Sequence, residues 1–123
     1  NPTSISQVAA EAALNGDQSC IGVMNRAFKE RHDYVYATLK AMDGVDVAPA
    51  DGTFYIFPSF QKVIERLGLG NDIAFAELLL SEVGVALVPG SAFGAEGCAR
   101  ISFATSMENL TKALDRIGRV IAR

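Results

Sequence analysis

The chain has 123 residues, half of them hydrophobic, which is the size and composition of one globular domain with a real core and excludes a disordered segment. Eleven Lys and Arg against fourteen Asp and Glu leave a net charge of −3 with the signs interspersed, so there is no nucleic-acid footprint and no polybasic membrane patch. No apolar run approaches the length that spans a bilayer, and a single histidine with two distant cysteines, Cys20 and Cys98, cannot build a zinc constellation.

The chain opens Asn1-Pro2-Thr3-Ser4 without an initiator Met and reads as a piece of a longer protein whose true N-terminus is out of view. Ser4 to Gln7 is a capping-box pattern, Ile5, Val8, Ala9 and Ala12 then line one helical face, and Asn15-Gly16 stop the helix. A much longer helix is predicted from about Gln18 to Met42. Ile21, Met24, Phe28, Val35, Leu39 and Met42 keep a 3–4 spacing, with Arg31 in the one skipped place. At 1.5 Å per residue it runs roughly 37 Å, longer than a domain of this size needs, and so suits a bridge to something else. Lys29, Glu30, Arg31, Asp33 and Lys40 form solvated faces, and His32 reads as a surface residue rather than a ligand.

Gly44 ends that helix and Val45-Asp46-Val47 starts a strand. Pro49-Ala50-Asp51-Gly52 reads as a turn into a second strand, Thr53-Phe54-Tyr55-Ile56-Phe57, whose unbroken apolar and aromatic run predicts burial on both faces. Ser59 can cap a short helix carrying Val63, Ile64 and Leu67, closed by Gly68. Gly68-Leu69-Gly70 lacks a third glycine and follows no strand, so it is no nucleotide fingerprint. Asn71 or Asp72 caps the next helix, with Phe75, Leu78, Leu79 and Val83 as its apolar face and Gly84 as its stop.

Two short apolar runs follow, Val85 to Val88 and Ile101 to Ala104, joined by a glycine-rich loop holding Gly90, Gly94 and Gly97. Pro89 and Gly90 end the first run. The loop is longer than an ordinary hairpin connection, and long loops with little structure of their own tend to be functional. Arg100 stands at the foot of the second run. Its planar fork matches a carboxylate through two parallel hydrogen bonds; an edge arginine covering apolar surface is the plain alternative. Thr105 to Glu108 is a second capping box, opening a last helix with Met107, Leu110, Leu114, Ile117 and Ile121 on one stripe. The sum is an α+β domain of about five helices on a small sheet of four strands, with Cys20 and Cys98 as free thiols of a reducing cytoplasm.

Asn1-Pro2-Thr3-Ser4, Gly52-Thr53-Phe54-Tyr55, Val88-Pro89-Gly90-Ser91-Ala92-Phe93-Gly94 and Arg100-Ile101-Ser102-Phe103-Ala104-Thr105-Ser106 occur in that order. Together they resemble the C-terminal portion, mostly the small domain, of a fold-type I pyridoxal-phosphate aminotransferase, most of all the bacterial aspartate aminotransferases. The likeness covers essentially the whole chain. It implies helices packed on a small, mostly antiparallel sheet, with residues 1–123 forming the small-domain part. It further implies that Arg100 grips the α-carboxylate of the amino-acid substrate, that Phe54 borders the substrate pocket, and that Asn1 lies near the active site at the dimer and domain boundary. The glycines of the PGSAFG loop would serve backbone geometry.

The same resemblance implies that the cofactor-bearing lysine, the aspartate that pairs with the pyridine nitrogen and the phosphate-binding residues lie upstream of Asn1. None of Lys29, Lys40, Lys62 or Lys112 stands in a sequence like that lysine motif, so the fragment is not expected to transaminate alone. In the parent, pyridoxal 5'-phosphate would act as the electron sink while this domain orients substrate and closes the site. Partners are then an amino acid, probed first as aspartate, a 2-oxo acid and a second copy in a homodimer. Two other readings stay open: a non-catalytic α+β domain that binds an amino-acid carboxylate through Arg100, and a transaminase for aromatic or other amino acids.

Overall fold

The strongest local pattern in the chain is also the backbone of its core. In the computed structural model, which describes residues 1–123, the last helix, α5 (Met107–Ile121), buries Leu110, Leu114, Ile117, Val120 and Ile121 on one stripe. Each such side chain contributes about 1.5–3 kcal/mol relative to exposure. The stripe packs on α2 (Ser19–Lys40) through Val35 and Leu39 and on α4 (Asp72–Val83) through Phe75 and Leu79. A short α3 (Gln61–Arg66) closes the layer with Val63 and Ile64, and Phe60 and Phe75 meet with ring centroids 4.9 Å apart. The first helix, α1 (Ser4–Asn15), buries nothing.

Against these helices lies a three-stranded antiparallel sheet in the order β1 (Tyr55–Ile56), β3 (Ala99–Ser102), β2 (Val88–Pro89). Tyr55 faces Ser102 and Ile56 faces Ile101 across one ladder; Val88 faces Arg100 and Pro89 faces Ala99 across the other. Because cross-strand partners share a face, Arg100, Ser102, Tyr55 and Val88 stand on one side of the sheet. Ile56, Ile101 and Ala99 point to the other, toward the core.

The helical expectations hold to within a residue or two. α2 spans 22 residues, about 33 Å. The caps shift by one position at two helices, and at α3 the N-cap is Phe60, with no side-chain cap from Ser59. Thr3, not Ser4, caps α1 by accepting from the Ser6 N–H at 3.3 Å, and Ser106, not Thr105, caps α5 by accepting from the Asn109 N–H at 3.2 Å. Asn71 caps α4 through the Ala74 N–H at 2.9 Å, and Gly84 ends that helix in the left-handed region at φ 64°.

The strands differ more. Val45–Val47 forms no strand: Asp46 alone pairs, exchanging hydrogen bonds with Ser59 at 3.0 and 2.8 Å. Pro49 and Pro58 flank that bridge, and neither has an N–H with which to extend it. The Thr53–Phe57 run is not buried on both faces. Ile56 is 2% exposed, but its neighbours Tyr55 and Phe57 are 37% and 39% exposed. Pro89 is the last residue of β2 and Gly90 starts a turn, as expected, while residues 85–87 stay outside the strand; on this edge the missing N–H of Pro89 costs no ladder bond. Arg100 lies inside β3 rather than at its foot. His32 is not a surface residue either. Its side chain is 12% exposed, with Nε2 accepting from the Ala50 N–H at 3.0 Å and Nδ1 3.0 Å from Asp33 Oδ1.

No helix is long and apolar enough to cross a membrane, and no group of three His, Cys, Asp or Glu side chains is gathered as a metal site. Cys20 is exposed and Cys98 half-buried, both as free thiols.

Candidate functional site

Arg100 is set at the centre of the sheet's open face. Its guanidinium carbon lies 4.8 Å from the Phe93 ring centroid and 5.3 Å from that of Tyr55. Phe57 meets Phe93 edge-on at 5.8 Å, so of three partly exposed rings two, Tyr55 and Phe93, face the cation. Ring faces attract the charge without using any N–H. The six ion pairs of the chain leave Arg100 out, and no side-chain acceptor or carbonyl takes a hydrogen bond from it. Arg66 shows the contrast: its N–H groups are bound to Asp43 and to the Ile121 carbonyl. A half-buried arginine held between rings, with its donors unpaired, can receive a planar anion such as a carboxylate.

The loop between β2 and β3 carries the third ring. It begins as a 3-10 turn, Gly90–Phe93, and is not the structureless connection its glycines suggest. Gly90 is buried so tightly that a Cβ there would sit 2.2 Å from the Ala95 carbonyl oxygen. Gly97 has φ 74°, and a Cβ would meet the Gln61 side chain at 2.2 Å. Both glycines serve backbone geometry, the role expected of Gly90 in the PGSAFG loop.

Phe54 joins the site through Tyr55, its ring 5.3 Å from Tyr55 and 6.4 Å from Phe28 of α2. Its carbonyl accepts from the Phe103 N–H at 2.8 Å, tying it to the end of β3. The residue before it, Thr53, is the one non-glycine with positive φ, 68°, a strained position for a β-branched side chain. Asn1 stands apart, exposed ahead of a helix that buries nothing.

One residue of the site is not marked by the sequence. Asp72 looks there like a helix cap, but Asn71 does the capping. The Asp72 carboxylate instead turns inward and accepts from the Ser91 N–H at 2.7 Å. Burial pushes its pKa up, yet hydrogen bonding, that from the Ser91 N–H foremost, outweighs this and holds it below the ordinary 3.8.

A recess of about 480 Å³ between α5 and residues 84–87 is not lined by Arg100.

Residues 1–117 match the family described as aminotransferase class I and II. The chain belongs to that family. It is 47% identical over 128 residues to an aspartate/prephenate aminotransferase of Nitrosomonas europaea, covering 99% of this chain and 32% of the relative. Among solved structures, an aspartate aminotransferase of Rhizobium meliloti superposes with a TM-score of 0.87 at 39% identity, over 99% of this chain and 32% of that one. An alanine aminotransferase of Pyrococcus furiosus reaches the same TM-score, 0.87, at 32% identity, over 98% of this chain and 30% of that one. The aminotransferase fold of this stretch is thus shared by relatives named for different amino acids. The chain spans about a third of the length of these relatives.

Proposed function

We propose that this chain is the C-terminal, small-domain part of a pyridoxal-phosphate-dependent aminotransferase and that Arg100 holds the α-carboxylate of its substrates. The observation that carries the reading is the half-buried arginine with its donors unpaired, framed by Tyr55 and Phe93. A second support is the nature of the relatives, which are named for amino acids and oxo acids. Aspartate is the first amino acid to test, since that name recurs among them.

The residues around Arg100 do not fit the cofactor itself, which needs an amine for its aldehyde and donors for its phosphate. Lys29 pairs with Asp33, Lys112 with Glu108, and Lys40 lies on Tyr36, all on helix surfaces. In this reading the groups that hold pyridoxal phosphate belong to the remainder of the protein, and this chain's own share is to bind and orient. One end of the substrate is fixed by the Arg100 fork, and Phe54 and Tyr55 wall the approach. Asn1 enters the site where this part meets the rest of the protein and a second subunit.

The test is steady-state kinetics of the full-length protein with Arg100→Lys. An ammonium cannot reproduce the fork, and breaking a desolvated charged pair costs about 2–5 kcal/mol, so kcat/KM should fall roughly 30-fold to several-thousand-fold. The absorbance band of the bound cofactor should persist. Turnover within a few-fold of the parent would make Arg100 a structural residue and end the proposal. Comparing aspartate, alanine and phenylalanine as donors in the same assay decides the side-chain preference.

A further inference from the structure

The turn that brings Phe93 to Arg100 is tied down by a carboxylate from another element. Asp72 is 1% exposed and is the charged side chain within the buried set. It reaches across 19 residues of sequence to the Ser91 N–H at 2.7 Å. One side chain of α4 therefore ties the start of the turn. Just beyond it stands Phe93, 4.8 Å from the Arg100 guanidinium carbon and 5.8 Å from Phe57.

The chemistry of this link is selective. A buried carboxylate is costly unless it is hydrogen-bonded, and here the Ser91 N–H meets it, at the first turn of α4 where the helix dipole favours negative charge. An apolar residue could fill the same space against the turn. It could not set which amides face it, and so could not fix where Phe93 falls. Gly90, packed against Ala95 and Cys98 with no room for a side chain, makes the turn rigid enough to pass that placement on.

We propose that Asp72 is a positioning residue for carboxylate recognition: by tying the Ser91 N–H it seats Phe93 on Arg100 and so sets the direction of the guanidinium fork. This rests on the reading of Arg100 given above. Asp72 does not touch the substrate; it acts through Phe93.

The experiment is a double-mutant cycle in the full-length protein, with Asp72→Asn, Phe93→Ala, the pair, and Arg100→Lys alongside. Steady-state kinetics with an amino-acid donor and a thermal melt are read for each. A cation–π contact is modest, so each single change should raise KM about 3- to 20-fold with kcat within about twofold. The pair should be no worse in KM than Phe93→Ala alone, to within about twofold, because one change acts through the other. The drop in melting temperature caused by Asp72→Asn should appear in both backgrounds. A purely structural Asp72 would lower the melting temperature and leave KM alone, and that result overturns the inference, as does a KM effect that multiplies in the pair. An impaired Arg100→Lys beside an unchanged Asp72→Asn removes this inference and spares the Arg100 reading; an unimpaired Arg100→Lys removes both. Should Asp72→Asn fail to fold, Asp72→Glu keeps the charge, shifts the acceptor by one methylene and is read in the same cycle. A KM rise of about twofold, absent in the Phe93→Ala background, supports the inference, and an unchanged KM overturns it.

Discussion

Residues 1–26 and residues 27–123 obey the same local rules and meet opposite fates. Both regions hold capped helices with apolar faces at helical spacing. In the first, every residue is exposed, including Ile5, Val8, Leu14, Val23 and Met24. In the second, sixteen buried side chains from four helices and the sheet form one core. α2 belongs to both: its first turns are bare and Val35 and Leu39 near its end are fully buried. Capping and periodicity suffice to make a helix here, but burial needs a partner, and most helical stability comes from that packing. The bare arm fits the proposal that this chain is part of a longer protein, which it meets near Asn1.

The widest expected gap between the regions lies in stability. In the isolated chain, Leu39→Ala should cost about 2–5 kcal/mol by denaturant unfolding, because it opens a cavity in the core. Leu14→Ala, on the arm, should stay within about 0.5 kcal/mol. A loss above about 1 kcal/mol for Leu14→Ala would break the comparison. The same change in the full-length protein sharpens it, since a covered arm should respond more strongly there. The exposed apolar arm should also make the isolated chain associate at high concentration, visible by light scattering.

Acid should separate the regions next. The carboxyl of Asp72 is held below its ordinary value of 3.8, so its contribution to stability is complete above that value and is lost as pH falls through the lower folded one. Unfolding free energy should therefore drop more steeply below about pH 4 in the parent chain than in Asp72→Asn. Asp17, lowered by hydrogen bonds from the Ser19 hydroxyl and N–H, lies on the arm and is fully open to solvent. Asp17→Asn should leave the global acid profile where it was. Parallel profiles for the parent and Asp72→Asn would show that Asp72 is not linked to folding.

The smallest effect is chemical. Cys20 sits on the arm and Cys98 in the body, half-buried beside Gly90. A thiol reagent should modify Cys20 first and Cys98 more slowly, and denatured, unreduced protein should titrate two thiols. Equal rates would mean that the body opens as readily as the arm.

Helices were more legible than strands for a physical reason. The α5 stripe repeats over four turns and needs no partner to be read. Where the register slipped, at Thr3 and Ser106, two adjacent hydroxyl residues offer the same chemistry. The cap falls to the one whose backbone is extended, with ψ near 154°. A strand ends where its partner ends: β1 shrinks to Tyr55–Ile56 and Val45–Val47 to a single bridge because the ladders beside them are short. Arg100 was legible because a lone cation inside an apolar run asks for an explanation. Asp72 was not, since at the start of a helix an acidic residue already has one.

The sequence by itself determined where the helices lie, which glycines must shape the loop, and the likeness that points to Arg100. All of these depend on neighbours within a few residues or on the order of short motifs. Tertiary structure alone decided that Tyr55 and Phe93 frame Arg100, that Asp72 ties down the turn bearing Phe93, and that His32 is turned inward to the Ala50 amide. Those contacts join residues 7 to 45 positions apart, and their geometry exists only once the sheet register and the helix packing have brought the segments together.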